Sequence, residues 1–90
     1  MYDIVFSKEA SKDKKKLASV NLAVKAKRLL LIMQVNPFQN PPPYEKLVGN
    51  LKNRYSRRIN IQHQIIYSVL PSDDAYEGTV YIHRMWSYYK

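Results

Sequence analysis

The sequence predicts an α+β fold: an N-terminal helical hairpin packed on one face of a twisted antiparallel sheet of about four strands, in the order β-α-α-β-β-β. Three observations carry this prediction. Apolar residues recur at helical spacing between Ala10 and Met33, strict alternation takes over after Tyr55, and a proline-rich run at 37–43 separates the two regimes. Ninety residues make one domain, 1–90, with room for a single modest core and a stability margin of a few kcal/mol.

The elements follow in chain order. Tyr2 to Phe6 (YDIVF) has the β-branched and aromatic content of a short strand, and Ser7 is placed to cap the helix that follows. Lys8 to Leu17 is helix-forming. Its residues Ala10, Lys14 and Leu17 share a face, while Lys12, Lys14, Lys15 and Lys16 crowd positive charge towards the C-terminal end, where the helix dipole tolerates it. Such a lysine run reads first as a solvated face. Asn21 is a candidate cap for a second helix from Leu22 to Gln34, whose apolar stripe is Val24, Ala26, Leu29, Leu30, Ile32 and Met33. Asn36-Pro37 ends it, and Pro37, Pro41, Pro42 and Pro43 form a stiff connector that is neither helix nor central strand. This connector either restrains Tyr44 and Glu45 or merely spaces them.

Three strands remain. In Arg54 to Asn60, Tyr55, Arg57 and Ile59 alternate with Arg54, Ser56, Arg58 and Asn60; in Gln64 to Leu70, Ile65, Tyr67 and Val69 alternate with Gln64, Ile66, Ser68 and Leu70. A tight turn near Ile61 and Gln62 makes them a hairpin. After the polar turn PSDDAYEG, the last strand runs from Thr79 to Trp86, with Val80, Ile82, Arg84 and Trp86 on one face and Tyr81, His83 and Met85 on the other. Ser87 to Lys90 is a short polar and aromatic tail.

Composition restricts the function classes. Lys+Arg of 15 against Asp+Glu of 7 gives a net charge of +8, which favours polyanionic partners such as nucleic acid or an acidic protein segment over anionic lipid. No apolar run is long enough for a membrane span, and MYDIVFSKEA does not resemble an export signal, so a cytosolic protein is expected. With no cysteine and only His63 and His83 as imidazoles, neither a disulfide nor a metal cofactor is expected.

The informative stretch is Tyr44 to Tyr67, YEKLVGNLKNRYSRRINIQHQIIY. It sets one carboxylate, Glu45, among Lys46, Lys52, Arg54, Arg57 and Arg58. A lone acid among cations suits a proton-transfer base beside a bound polyanion, with the cations on phosphates. A surface loop leading into an ordinary strand fits the same residues.

The run PPYEKLVGNLKNRYSRRINIQHQIIY, the helical hairpin before it and the ending RMWSYY resemble the YoeB/Txe toxins of the RelE-like superfamily of bacterial toxin–antitoxin systems. The resemblance implies a cytoplasmic, bacterial, ribosome-dependent mRNA endonuclease that works without a metal. In that family a glutamate takes the proton of a ribose 2′-hydroxyl, an arginine stabilises the crowded phosphate, a histidine near the C-terminus protonates the departing oxygen, and a final tyrosine positions substrate. It also implies an acidic antitoxin partner that folds across the basic groove, and a homodimer.

Carried over residue by residue, the base falls on Glu45 and a supporting arginine on Arg58. The family's arginine after the His63 position is replaced by Gln64, and its histidine by Tyr88, with Tyr89 at the final tyrosine. Glutamine donates hydrogen bonds but no charge, and losing one preorganised donor costs about a hundred- to a thousandfold in rate. Tyrosine, with an ordinary pKa of about 10 against about 6.5 for histidine, gives up its proton less readily. The resemblance therefore implies an altered, attenuated nuclease, with Glu45, Gln64, Tyr88 and Tyr89 in catalytic positions and Lys46, Lys52, Arg54, Arg57 and Arg58 towards RNA. Arg57 and Arg58 lie on opposite strand faces, so at most one enters a shared groove; the matching position is Arg58, and the other then reads as a solvated or structural ion-pair residue. His63 and His83 read as structural, hydrogen-bonding or packing residues, and Trp86 as a core or dimer-contact residue. A rival reading is an inactive homologue that persists as antitoxin partner and corepressor on operator DNA; a weaker one is a general basic RNA binder.

Overall fold

A computed structural model describes residues 1–51, 53–72 and 77–86, the side chain of Leu51 excepted. Its elements are β1 (Asp3–Phe6), α1 (Lys8–Ser19), α2 (Ala23–Val35), β2 (Glu45–Lys46), β3 (Tyr55–Arg58), β4 (Gln64–Pro71) and β5 (Gly78–Arg84), with a single 3₁₀ turn at Gly49–Leu51. The α+β class and the helical hairpin match the sequence-based expectation. The sheet is larger and differently wired: five strands in the order β1-β5-β4-β3-β2, with β1 parallel to β5 and the other pairs antiparallel. The parallel pair joins Asp3 to Thr79 and Phe6 to Ile82, almost the whole length of the chain apart, so no local pattern announces it. Strand β2 has only two residues, too few for a period-2 signal.

Ser7 caps α1 as expected, its Oγ accepting from the Ala10 N–H at 2.9 Å and donating to the His83 carbonyl at 2.8 Å. This ties the start of the helix to the end of β5. The position that α1 buries beside Ala10 and Leu17 is Asp13 rather than Lys14. Lys14 instead lays its Nζ over the Phe6 ring, 4.1 Å from the centroid. Asn21 does not cap α2. Its φ is +62°, within the link between the helices, and Leu22 occupies the N-cap position without a side-chain bond. Of the predicted α2 stripe, Ala26, Leu29 and Met33 are buried, whereas Val24 is exposed.

The core lies between the hairpin and one sheet face. Leu17, Leu29 and Met33 meet Ile65, Tyr67, Val80 and Ile82 there. Burying each such aliphatic side chain stabilises the fold by about 1.5–3 kcal/mol. Met85 joins this core although alternation assigns it to the other face, because the β4–β5 register skips His83 and the parity after it shifts by one. The β3–β4 turn is fixed by Asn60, whose Oδ1 accepts from the N–H groups of Gln62 and His63 at 2.9 and 2.8 Å. Among the described residues no helix is long and apolar enough to cross a membrane.

The helices leave the β3 end of the inner sheet face uncovered, and the proline-rich segment closes it. Pro37 is buried, Tyr67 Oη donates to its carbonyl at 2.8 Å, and Phe38, Tyr44 and Tyr55 pack ring against ring. Burial pushes the Tyr67 phenol up to about 12, against an opposing pull from the Arg57 charge. The outer sheet face carries the alternate residues of β2 to β5, and the candidate site lies on it.

Candidate active site

The site is organised by a residue that the sequence reading assigns to RNA. Arg57 is 1% exposed. Its Nη1 donates to the Pro42 carbonyl at 2.6 Å, and its Nη2 to the carbonyls of Pro37 and Gln39 at 2.9 and 2.7 Å. The guanidinium also lies 5.1 Å from the Tyr44 ring centroid. Arg57 is therefore turned inwards and is not presented to a phosphate. It holds the proline connector against β3, and the connector delivers Glu45 into β2.

On the outer face, Glu45 pairs with Ser56, and Arg58 pairs with Gln64. Directly opposed residues share a face, and Ser56 and Arg58 are two apart on one strand, so all four side chains leave the sheet on the same side. Ser56 Oγ donates to Gln64 Oε1 at 2.6 Å. A cleft of about 120 Å³ forms here, lined by Pro42, Pro43, Tyr44, Glu45, Ser56 and Arg58. Glu45 and Arg58 are both exposed at its mouth. A larger groove of about 410 Å³ lies against the helices, lined by Leu17, Ala26, Leu30 and Met85 with Lys14 and Lys27 among its walls. That groove is lined by no carboxylate or imidazole, whereas the smaller cleft has Glu45.

Other expected site residues divide. Arg54 precedes β3 on the parity of Ser56 and Arg58, and its charge reaches His83 on the same face. Lys46 pairs with Tyr55 and so leaves β2 on the opposite side from Glu45, exposed at the sheet edge. Lys52, Tyr88 and Tyr89 lie outside the described residues. The described chain ends beside the site. The Trp86 carbonyl accepts from the Gln64 N–H at 3.3 Å and lies 3.1 Å from His63 Nδ1, and the His63 and Trp86 rings are 4.0 Å apart. His63 thus has the structural role that the sequence suggested, and Trp86 packs against the core.

Two participants have too little sequence signal to be singled out. Ser56 holds the Gln64 side chain, and its only signal is parity with Arg58. Asp13 is 1% exposed and accepts from Arg84 Nε and Nη2 at 2.8 and 3.2 Å and from the Met85 N–H at 2.9 Å. Burial pushes its carboxyl up, but the bonds from Arg84 and Met85 outweigh this and leave it below the usual carboxylate value. Asp13 thereby fixes the turn from β5 towards Trp86.

Chemically, the cleft sets an accessible carboxylate beside a cation and a neutral amide. This arrangement suits removal of a hydroxyl proton next to a bound anion.

Comparisons with known proteins show what the chain resembles. No protein-family profile matches the chain. The toxin YoeB of Synechocystis sp. is 36% identical over 61 residues, which span 68% of this chain and 64% of that one. The YoeB dimer of Staphylococcus aureus is 30% identical, with a TM-score of 0.75 and 94% of each chain covered. The heterotetrameric YoeB–YefM toxin–antitoxin complex of the same organism is 28% identical, with a TM-score of 0.74, covering 96% of this chain and 95% of that one. The chain belongs to the YoeB family of toxins.

Proposed function

We propose that this protein is a ribosome-dependent mRNA endonuclease toxin, weakened by two residues in its own site. Glu45 takes the proton of a ribose 2′-hydroxyl, and the oxygen attacks the adjacent phosphate. Arg58 neutralises the phosphate, and Gln64, its carbonyl oxygen held by Ser56, donates its amide N–H where the family has a charged arginine. Tyr88 protonates the departing 5′-oxygen, and Tyr89 positions the substrate. Lys46, Lys52 and Arg54 contribute to the wider basic surface. The reading places no metal in the cleft. A cognate acidic antitoxin silences the toxin by covering the basic face, as the YoeB–YefM complex and the +8 charge suggest, and the toxin pairs as a homodimer in the bacterial cytoplasm.

The observation that carries this reading is that Glu45 and Arg58 line one cleft whose Ser56 is bonded to Gln64. The test is cleavage of mRNA on purified ribosomes by the natural chain and by Glu45→Ala. The reading expects cleavage that the substitution abolishes, and a Gln64→Arg, Tyr88→His double variant that cleaves faster and arrests growth more strongly. Gln64, with no charge to offer a phosphorane, favours one alternative: a toxin homologue without activity that binds antitoxin and serves as corepressor. That alternative expects no cut from the natural chain.

A further inference from the structure

A second polar and aromatic cluster lies on the outer sheet face, beyond the cleft. Ser68 pairs with Tyr81 across β4 and β5. Ser68 Oγ and His83 Nε2 are 2.7 Å apart, and the Tyr81 and His83 rings meet edge to face at 4.8 Å. Tyr55 pairs with Tyr67, which sets Arg54, one residue earlier, across from Ser68. All four residues are half-buried, so their surfaces are accessible without being loose. The general acid/base scheme uses none of the histidine, the serine or Tyr81.

The cluster and the cleft share the outer sheet face. Glu45 pairs with Ser56, Ser56 with Ile66, and Ile66 lies next to the β4–β5 irregularity at which His83 stands opposite no residue. Two strand spacings, about 10 Å, separate the β3 side of the cleft from β5. Neighbouring nucleotides of one extended strand span such a gap. Burial, then the Arg54 charge, holds the His83 imidazole below its usual value, so near neutral pH it offers a flat uncharged ring beside a fixed cation.

Aromatic faces interleaved with an arginine are the chemistry that binds single-stranded nucleic acid, rings stacking on bases while the cation meets phosphate. We propose that Tyr81, His83, Ser68 and Arg54 form a nucleotide subsite that holds a base and phosphate flanking the nucleotide cut at Glu45. Tyr81 and His83 supply the stacking surface, Ser68 a hydroxyl for the base edge, and Arg54 the phosphate contact. The subsite rests on the RNA-cleaving reading and adds positioning residues to it.

The experiment measures binding of a labelled single-stranded 2′-O-methyl RNA hexamer, which lacks the attacking hydroxyl, to the full natural chain by fluorescence anisotropy across a salt series. Tyr81→Leu should weaken binding about 5- to 100-fold without changing the salt slope, and His83→Leu should act in the same direction. Tyr81→Phe should restore affinity, since it keeps the ring face. Arg54→Gln should lower the salt slope by about 0.7. Circular dichroism melting confirms that each variant is folded. The subsite is overturned if Tyr81→Leu and His83→Leu bind the hexamer as the natural chain does. It also fails if Tyr81→Phe loses as much as Tyr81→Leu, or if the natural chain does not bind the hexamer at low salt. It fails too if only binding of an acidic peptide depends on Tyr81. A chain that cuts on ribosomes but binds without need of Tyr81 loses the subsite alone. Tyr81-dependent binding without any cut removes the nuclease reading alone.

Discussion

Replacing Arg57 by methionine tests whether the proline connector is held by one guanidinium. The substitution keeps most of the side-chain volume and removes three bonds, to the carbonyls of Pro37, Gln39 and Pro42. Hydrogen bonds to a charged group contribute about 1.5–3 kcal/mol each, so the gross loss is about 4.5–9 kcal/mol. Two features reduce it. The Pro37 carbonyl keeps its bond from Tyr67, and the exposed Gln39 leaves its carbonyl open to water. Removing a buried cation also recovers its desolvation cost, and Arg57 Nε is itself buried without a partner. The net expectation is a loss of about 3 kcal/mol, from a total of about 5–13 kcal/mol for a domain of this size. Thermal unfolding followed by circular dichroism should show a midpoint lower by about 12 °C or more. Hydrogen exchange should quicken first at the Leu47 N–H, which is bonded to the Arg54 carbonyl at the end of β2. Arg57→Lys should fall between the two, because one ammonium cannot span three diverging carbonyls. A midpoint shift below about 4 °C for Arg57→Met, with Leu47 exchange unchanged, would refute the clamp.

Two further substitutions probe how the outer face is positioned. Asp13→Asn should cost about 2–3 kcal/mol, since it removes the charge that balances the partly buried Arg84. The folded Asp13 carboxyl lies below its ordinary 3.8, so its stabilisation is present above that pH and is lost as pH falls through the folded value. Acid titration of the variant should lack that limb, and an unchanged acid midpoint would count against the assignment. Gly78 pairs with Pro71 at a φ of +153°, where an added Cβ would run into the Leu70 carbonyl oxygen. Gly78→Ala should therefore destabilise by more than about 1 kcal/mol, and a denaturant midpoint equal to that of the natural chain would show that the β4–β5 end adjusts freely.

Alternation along the chain is enough to sort the strand residues into faces, and it already groups Ser56 with Arg58 and Gln64 with Ser68. It gives no indication of which face is covered. The cover over the β3 end is the proline connector, whose contact with Arg57 joins residues 15 to 20 positions apart through backbone carbonyls. A carbonyl has no sequence identity, so an arginine bonded only to carbonyls looks like one offered to solvent, and Arg57 reads as an RNA contact for that reason. Asp13 is hidden in the opposite way: within a run of lysines an acid reads as part of a solvated face, and its partner Arg84 is 71 residues away.

The site itself is only half legible on the same grounds. Glu45 has no burial pattern of its own, since its strand is two exposed residues long. Its place opposite Ser56 follows from how the connector is anchored, which makes the position of the proposed base a consequence of a buried cation on the other side of the sheet. Ser56 gives the Gln64 position a further meaning. An amide that accepts from Ser56 is already oriented by a neutral partner, whereas an arginine there would find in Ser56 only a weak acceptor and in Arg58, directly across the strand pair, a like charge. Restoring Gln64→Arg therefore adds a cation and changes what Ser56 holds, so Ser56→Ala belongs in the same double-mutant cycle. Coupling between positions 56 and 64 should be large in the natural chain and small once arginine is present, and additive effects in both backgrounds would show that Ser56 does not position residue 64.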